Sequence, residues 1–304
     1  MQRNVFVGIE LGGTKILCRA IDGSGTLLLD RRFATSTPAA AVDDLATCFA
    51  SIGDPRTRVA AIGIASFGPV VVDAASADFG CILATPKPGW SNFNLRAALA
   101  DRFGVPIAVD TDVNAAAIAE HALGAGRGLD CVAYVTVGTG IGGGLVTRHG
   151  PLHGALHPEI GHLLLRRYMG DEHESTCPFH ADCAEGLAAG PALGRRLGPT
   201  RALADAPEVQ ALVAHYLGVL ASGLVMAWSP QRIVMGGGVM AAPGLLEQTA
   251  AAMRSALGNY GACVSMEPGF IAAAQLADAG LEGALILARA AQVTLPAHTT
   301  SSRM

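Results

Sequence analysis

"NVFVGIELGGTKILCRAI", Asn4 to Ile21, is two apolar runs split by a pair of glycines. Apolar residues on both sides of a Gly-Gly turn predict a β-hairpin, and the "DGSG" and "TLLL" that follow predict a second turn and a third strand. The same grammar returns far along the chain. "CVAYVTV" from Cys131 predicts an apolar strand, "GTGIGGG" a glycine turn, "LVT" a returning strand and "RHGP" a further turn. Two glycine hairpins in one chain point to a duplicated architecture whose halves face each other.

Between the hairpins the pattern alternates. A helix is predicted near Ala40 to Ala50, a buried strand in "RVAAIGIASF", a proline-rich loop in "TPKPGWSNF", and a helix over Leu95 to Phe103. A strand "PIAVD" and a helix opening at "DTDVNAAAIAEHAL" follow. Strands alternating with helices argue for an α/β fold with layered sheets. Downstream the pattern turns mostly helical until "RIVMGGGVM", a buried strand stopped by three glycines, and a final helix "LEGALILARAAQV" precedes a polar tail. The expected division is residues 1–113 and 114–304, with the last helix, from about residue 281, packing back on the first domain.

Totals exclude several classes. The 304 residues suffice for two cores. A net charge of -4, with no basic run, offers nothing to nucleic acid or an anionic membrane, so a small-molecule partner is expected. Glu10 and its glycines interrupt the N-terminal apolar run before it could be a signal peptide, which predicts a cytosolic protein. "ALVAHYLGVLASGLVMAW", Ala211 to Trp228, carries no formal charge but includes His215 and several small residues, and reads as a buried core helix. Cys18, Cys81, Cys131 and Cys263 sit in apolar settings and are expected to be reduced.

The remaining signals are chemical. Gly12 and Gly13 carry no side chain, so a phosphate can approach the backbone and accept several N–H bonds, with the Thr14 hydroxyl and the Lys15 cation beside it. A single loop of this kind serves equally well as an ordinary hairpin turn. It lacks the spacer of a P-loop. "GTGIGG", Gly138 to Gly143, matches the dinucleotide pattern GxGxxG, but that fingerprint needs a helix after the turn, and "GLVTRHGP" does not supply one. What remains is a second phosphate turn at Gly138, Thr139 and Gly140, with Gly237 and Gly238 as a third loop where an adenine could lie against backbone.

"CPFHADC" sets Cys177, His180 and Cys183 at a C-x2-H-x2-C spacing. Two thiols with imidazoles select a tetrahedral zinc, and His157, His162 and His173 are all in range as a fourth ligand. A Cys177–Cys183 disulfide is the alternative, disfavoured in the cytosol.

Taken in order, "ELGGTK", "VGTGIGGG", "HPEIGH" with its cysteine cluster, and "GGGVM" resemble the ROK family of sugar kinases and repressors, across nearly the whole chain. "IASFGP", "TPKPGW", "DTDVNAAA" and "CPFH" are similar to its bacterial fructokinase branch in particular. The resemblance implies a two-domain actin-like ATPase fold with a cleft between domains. It also implies transfer of phosphate from ATP, with Mg2+, to a hexose, making fructose 6-phosphate from fructose. Glucokinase, mannokinase and N-acetylhexosamine kinase are the alternatives. A repressor is disfavoured because its helix-turn-helix would precede the first strand. The family implies a homodimer.

Residue by residue, the resemblance picks His162 as the fourth zinc ligand, one ring nitrogen on the metal and the other toward a sugar hydroxyl. Glu159 and Glu185 flank the clip and are placed on the sugar, with Gly68 and Thr111 in the pocket wall. Asp112 is the implied base that takes the proton of the attacking hydroxyl. Helix capping is the competing job for it, and Asp110 is an equally eligible cap. Glu10 stands where most of the family has aspartate, which bears on Mg2+ placement. Lys87 and Trp90 either close over the sugar or serve a structural loop.

Overall fold

The computed structural model describes residues 3–52, 57–85, 87–258, 260 and 269–293; Cys263 and the polar tail lie outside them. Two units emerge. One comprises residues 1–116, 153–156 and 278–304, the other 117–152 and 157–277.

The first unit is built on a five-stranded sheet. β1 (Arg3–Leu11), β2 (Lys15–Asp22) and β3 (Leu27–Ala34) run antiparallel, and β4 (Thr57–Ser66) and β5 (Ile107–Thr111) add in parallel, in the order β3-β2-β1-β4-β5. β1 is buried from Val5 to Ile9, as a central strand covered on both faces must be. β3 is the edge, and it presents Asp30, Arg31 and Arg32 to solvent, which discourages pairing with another chain. Helices α1 (Pro38–Ala50) and α2 (Leu95–Phe103) pack with this sheet through Leu45, Phe49 and Leu99.

The second unit repeats the order. β6 (Cys131–Val137), β7 (Ile141–Thr147) and β8 (Gly150–Pro151) run antiparallel, then β9 (Arg232–Gly236) and β10 (Ile271–Ala273) add in parallel, as β8-β7-β6-β9-β10. The duplication expected from the two hairpins is therefore present strand for strand. One element differs from expectation. Gly142, Gly143 and Gly144 belong to β7, not to the turn, and pair with Thr136, Val135 and Tyr134. Gly143 is glycine because a Cβ there would strike Ile160 and the Tyr134 carbonyl.

Helix α3 (Asp112–Ala122) crosses from the first unit into the second. The helices α4 (Ala184–Ala188), α5 (Gly190–Leu197), α6 (Pro207–Trp228) and α7 (Leu245–Leu257) belong to the second unit. α6 is the one described helix long and apolar enough to cross a membrane. Its Tyr216, Leu217, Leu220 and Leu224 sit at the centre of the second unit's core.

The last helix, α8 (Ala279–Val293), packs across β1 and β4. It approaches closely because Gly8 and Gly63 leave the strands bare: a Cβ on Gly63 would fall inside the Ala284 carbonyl, backbone that cannot swing aside. Gly63→Ala is therefore expected to destabilise the protein by about 2 kcal/mol or more, read as a lower melting temperature. Gly23→Ala, where an added Cβ meets nothing within 4 Å, is expected to leave melting nearly unchanged.

Candidate active site

In the first unit, the turn between β1 and β2 closes with the Gly12 N–H donating to the Lys15 carbonyl at 2.9 Å. The Thr35 hydroxyl donates to the Gly12 carbonyl at 2.7 Å, and the Thr35 N–H to the Thr14 carbonyl at 3.0 Å, so the turn is braced from β3. At its tip the Lys87 Nζ donates to the Gly13 carbonyl at 3.0 Å. Glu10, two residues before the turn, has its carboxyl raised by burial, an effect that Lys15 and a hydrogen bond from the Leu281 backbone oppose. Gly68 follows β4, just beyond Phe67, whose N–H donates to the Leu11 carbonyl at 2.8 Å.

β5 delivers Asp110, Thr111 and Asp112 to the start of α3. The Thr111 hydroxyl accepts the Asn114 N–H at 3.0 Å, which is the capping bond. Asp110 is buried and accepts the Thr111 N–H at 2.8 Å and the Asn114 side-chain amide at 2.7 Å. Neither Asp110 nor Asp112 makes that cap: the Asp112 carboxylate takes the N–H of its own neighbour Val113 at 2.9 Å. His153, absent from the sequence expectations, puts its Nε2 3.0 Å from the Asp110 carboxylate. That hydrogen bond raises its pKa against burial.

In the second unit, the glycine loops meet. Gly236 pairs with Thr136 at the ends of β9 and β6, so the Gly237–Gly238 segment follows one strand and the Gly138–Gly140 turn follows its neighbour. Gly237, at φ 92°, lies so close to the Val137 backbone that no other residue fits. Gly138 is held by Gly140 at 2.9 Å and by the Gly190 N–H at 2.7 Å, at the start of α5. The Glu185 carboxylate accepts the Ile141 N–H at 3.0 Å and lies over Gly140, where a Cβ would collide with it. Thr139 stands at the tip of this turn.

His162, Cys177, His180 and Cys183 converge, with their ligand atoms all within 4.8 Å of one another. Cys177 Sγ is 3.7 Å from His162 Nδ1 and 3.6 Å from His180 Nδ1. A tetrahedral ion with bonds of ~2.3 Å to sulfur and ~2.0 Å to nitrogen separates those ligands by roughly 3.5 Å, so the donor set fits such an ion. Cys177 and Cys183 are free thiols. Burial, with Cys177 alongside, pushes the Cys183 thiol up to about 11, and a dication is what would draw it to thiolate. His157 does not join the cluster: it is buried, with its Nδ1 3.4 Å from the Glu159 carboxylate. Glu159 and His162 share one turn, the His162 N–H donating to the Glu159 carbonyl at 3.1 Å.

The ROK family pattern matches residues 6–291. The chain belongs to the ROK family. A fructokinase from Zymomonas mobilis is 37% identical over 95% of this chain and 98% of its own length. Another from Pediococcus pentosaceus is 35% identical over 93% and 97%. A ROK glucokinase from Streptomyces griseus, solved in complex with glucose and AMPPNP, superposes with a TM-score of 0.71 at 26% identity, over 94% of this chain and 99% of that one.

In this ROK chain the loop carrying the metal-type ligands has a second anchor that no local pattern announces. The Asp171 carboxylate meets Arg196 in two bonds, at 2.6 and 2.8 Å, and accepts the Tyr216 hydroxyl at 2.5 Å. The side chains of Asp171 and Arg196 are only 1% and 4% exposed. Burial alone would raise the Asp171 carboxyl, but the bonds from Arg196 and Tyr216 overcome it and bring it down to about 2. The stabilisation is thus fully present above the ordinary carboxylate range near 4 and lost as pH falls toward about 2. Asp171→Asn, which leaves a buried guanidinium without its counter-charge, is expected to cost about 3 kcal/mol at pH 7 in chemical unfolding. The variant is also expected to lack the share of acid destabilisation that wild type shows between pH 4 and 2.

Proposed function

We propose that this chain is an ATP-dependent hexose kinase that converts D-fructose to D-fructose 6-phosphate. The observation that carries the reading is the bond between Glu185 and the Ile141 N–H: a carboxylate suited to sugar hydroxyls is tied to a glycine turn suited to a triphosphate. Donor and acceptor sites are thereby coupled in one short stretch of backbone. The fructokinases from Zymomonas and Pediococcus, similar along nearly their full lengths, favour fructose among hexoses.

In this reading MgATP is the donor substrate. Gly12, Gly13, Thr14 and Lys15 and the turn of Gly138, Thr139 and Gly140 take its phosphates, and the adenine lies against Gly237 and Gly238. Glu159 and Glu185 accept from sugar hydroxyls and the Nε2–H of His162 donates to one, each fixing a direction, and Gly68 and Thr111 line the pocket. Asp112 takes the proton of the attacking hydroxyl, and the capping bond made by Thr111 is consistent with that assignment. His162, Cys177, His180 and Cys183 hold a structural zinc, whose chemistry is to clamp the loop. His162 would hold it through Nδ1, the nitrogen that faces Cys177, which leaves the Nε2–H to donate to a hydroxyl. A cytosolic homodimer completes the reading.

A panel of hexoses assayed for ADP release tests the substrate, with the highest kcat/KM expected for fructose; a higher value for glucose or an N-acetylhexosamine would reassign it. In the same assay Asp112→Asn is expected to lose ~10²-fold or more in kcat while keeping its fold and its fructose affinity. Near-wild-type turnover by a folded variant removes the base.

Elemental analysis of protein purified without added metal is expected to find one zinc per chain, and Cys177→Ser to lower both zinc content and melting temperature. Zinc far below stoichiometric, or a Cys177–Cys183 disulfide, sinks this assignment.

A further inference from the structure

We propose that Lys87 is a catalytic residue of the phosphoryl transfer, its ammonium set against the transferred phosphoryl group and not over the sugar. The inference rests on the hexose-kinase reading above. It begins with position: Lys87 lies in the proline-rich loop, yet its Nζ reaches the first glycine turn and donates to the Gly13 carbonyl at 3.0 Å. Gly13 has no side chain, and a Cβ there would run into that nitrogen. Turn and lysine are thus shaped to each other, at the place where backbone N–H groups would hold a phosphate.

The surroundings suit a fixed cation. Lys87 Nζ stands 4.7 Å from the centre of the Phe67 ring, and the charge of Asp112 acts on it favourably. Burial lowers its pKa, so the ammonium has shed part of its water. A cation that has already lost part of its water stabilises developing charge more than one that must be stripped of it during reaction. Asp112 is the proposed base, so the cation near the phosphate turn and the carboxylate that takes the proton lie within electrostatic reach of each other.

Lys15 is the obvious rival, and the geometry disfavours it. Its charge acts on the half-buried Glu10 carboxylate, and it opens β2 instead of standing at the tip of the turn. The loop that carries Lys87 is also firmly rooted. Trp90 is 1% exposed, its Nε1 donates to the Ser36 carbonyl at 2.8 Å, and its ring meets Phe67 and Phe93 edge-on, each at 5.8 Å. Trp90 is therefore the anchor, not a cover over substrate, and Lys87 is held by it in advance of binding.

A full positive charge with three donors also bonds more strongly to a charged phosphoryl oxygen than to a neutral hydroxyl. In the step, the hydroxyl oxygen of the sugar bonds to the γ-phosphorus as the bond from that phosphorus to the β–γ bridging oxygen breaks. The electron pair stays on the departing ADP, the hydroxyl proton passes to Asp112, and Lys87 keeps its own proton throughout. Nothing is oxidised or reduced.

Lys87→Met keeps the length of the side chain and removes its charge; Lys87→Gln keeps polarity, and Lys87→Arg keeps the charge. With fructose and MgATP, Met and Gln are expected to lower kcat by ~10²- to 10³-fold, with fructose KM and calorimetric Kd within about threefold of wild type. Arg is expected to recover at least about tenfold in kcat over Met. If Met fails to melt as a folded protein, Gln and Arg decide by the same comparison. A rise in fructose KM or Kd of about tenfold with kcat nearly unchanged makes Lys87 a sugar contact and overturns the proposal. Turnover within about threefold of wild type in Met or Gln overturns it as well. A wild-type protein that phosphorylates no hexose fails the kinase reading itself, a result distinct from either.

Discussion

Where the five-residue helix Ala184–Ala188 begins decides much of the second unit. Its N-cap is Cys183, whose sulfur accepts the Gly186 N–H at 3.4 Å while facing Cys177 and the two histidines. One residue into the helix, Glu185 holds the Ile141 N–H. A shift of the helix start would move a metal-type ligand and a glycine-turn brace together. The tightness is visible at Gly186, where a Cβ would strike the Ser175 hydroxyl and Cys177. The four-ligand cluster and the glycine turn are therefore one mechanical piece, joined by a single turn of helix.

The same economy recurs where backbone must approach backbone. Gly63 admits the Ala284 carbonyl, Gly161 admits the Ile141 carbonyl, and Gly283 admits the Ala115 carbonyl; in each case a Cβ would overlap the oxygen. These contacts are short because the packed surfaces there are built from alanine and glycine. Close approach replaces large side chains as the means of excluding water, and such contacts cannot relax by rotating a torsion.

Legibility followed the range of the interactions. Hairpins β1–β2–β3 could be read because turn residues and strand residues alternate locally, and the spacing of Cys177, His180 and Cys183 announced a cluster because three ligands lie within one loop. Gly142 to Gly144 read as turn because glycine is a poor strand former; they pair with Thr136, Val135 and Tyr134 in β7, and at Gly143 the distant Ile160 requires a bare backbone. Asp171 pairs with residues 25 and 45 positions away, and His153 with Asp110 across 43. No periodicity encodes such pairs. Capping at α3 is ambiguous in sequence for a different reason: Asp110 and Asp112 are both eligible by type, yet the bond is made by Thr111, which lies between them.

Glu10 shows what the reach of one extra methylene does in this sheet. Its carboxylate lies at the N-terminus of α8, accepts a hydrogen bond from the Leu281 backbone, and presses on Gly280 so closely that any side chain there would collide with it. A helix N-terminus favours a negative charge, and the exposed N–H groups give it a fixed direction. An aspartate in the same backbone position would stop about one methylene short of that helix. Glu10 is thus occupied with fastening α8 to β1, opposed by its own burial and by Asp278 and assisted by Lys15. That carboxylate is already engaged by the Leu281 N–H and by its place at the helix terminus. Of the two lysines beside this turn, Lys87 reaches its tip, while the charge of Lys15 acts on Glu10.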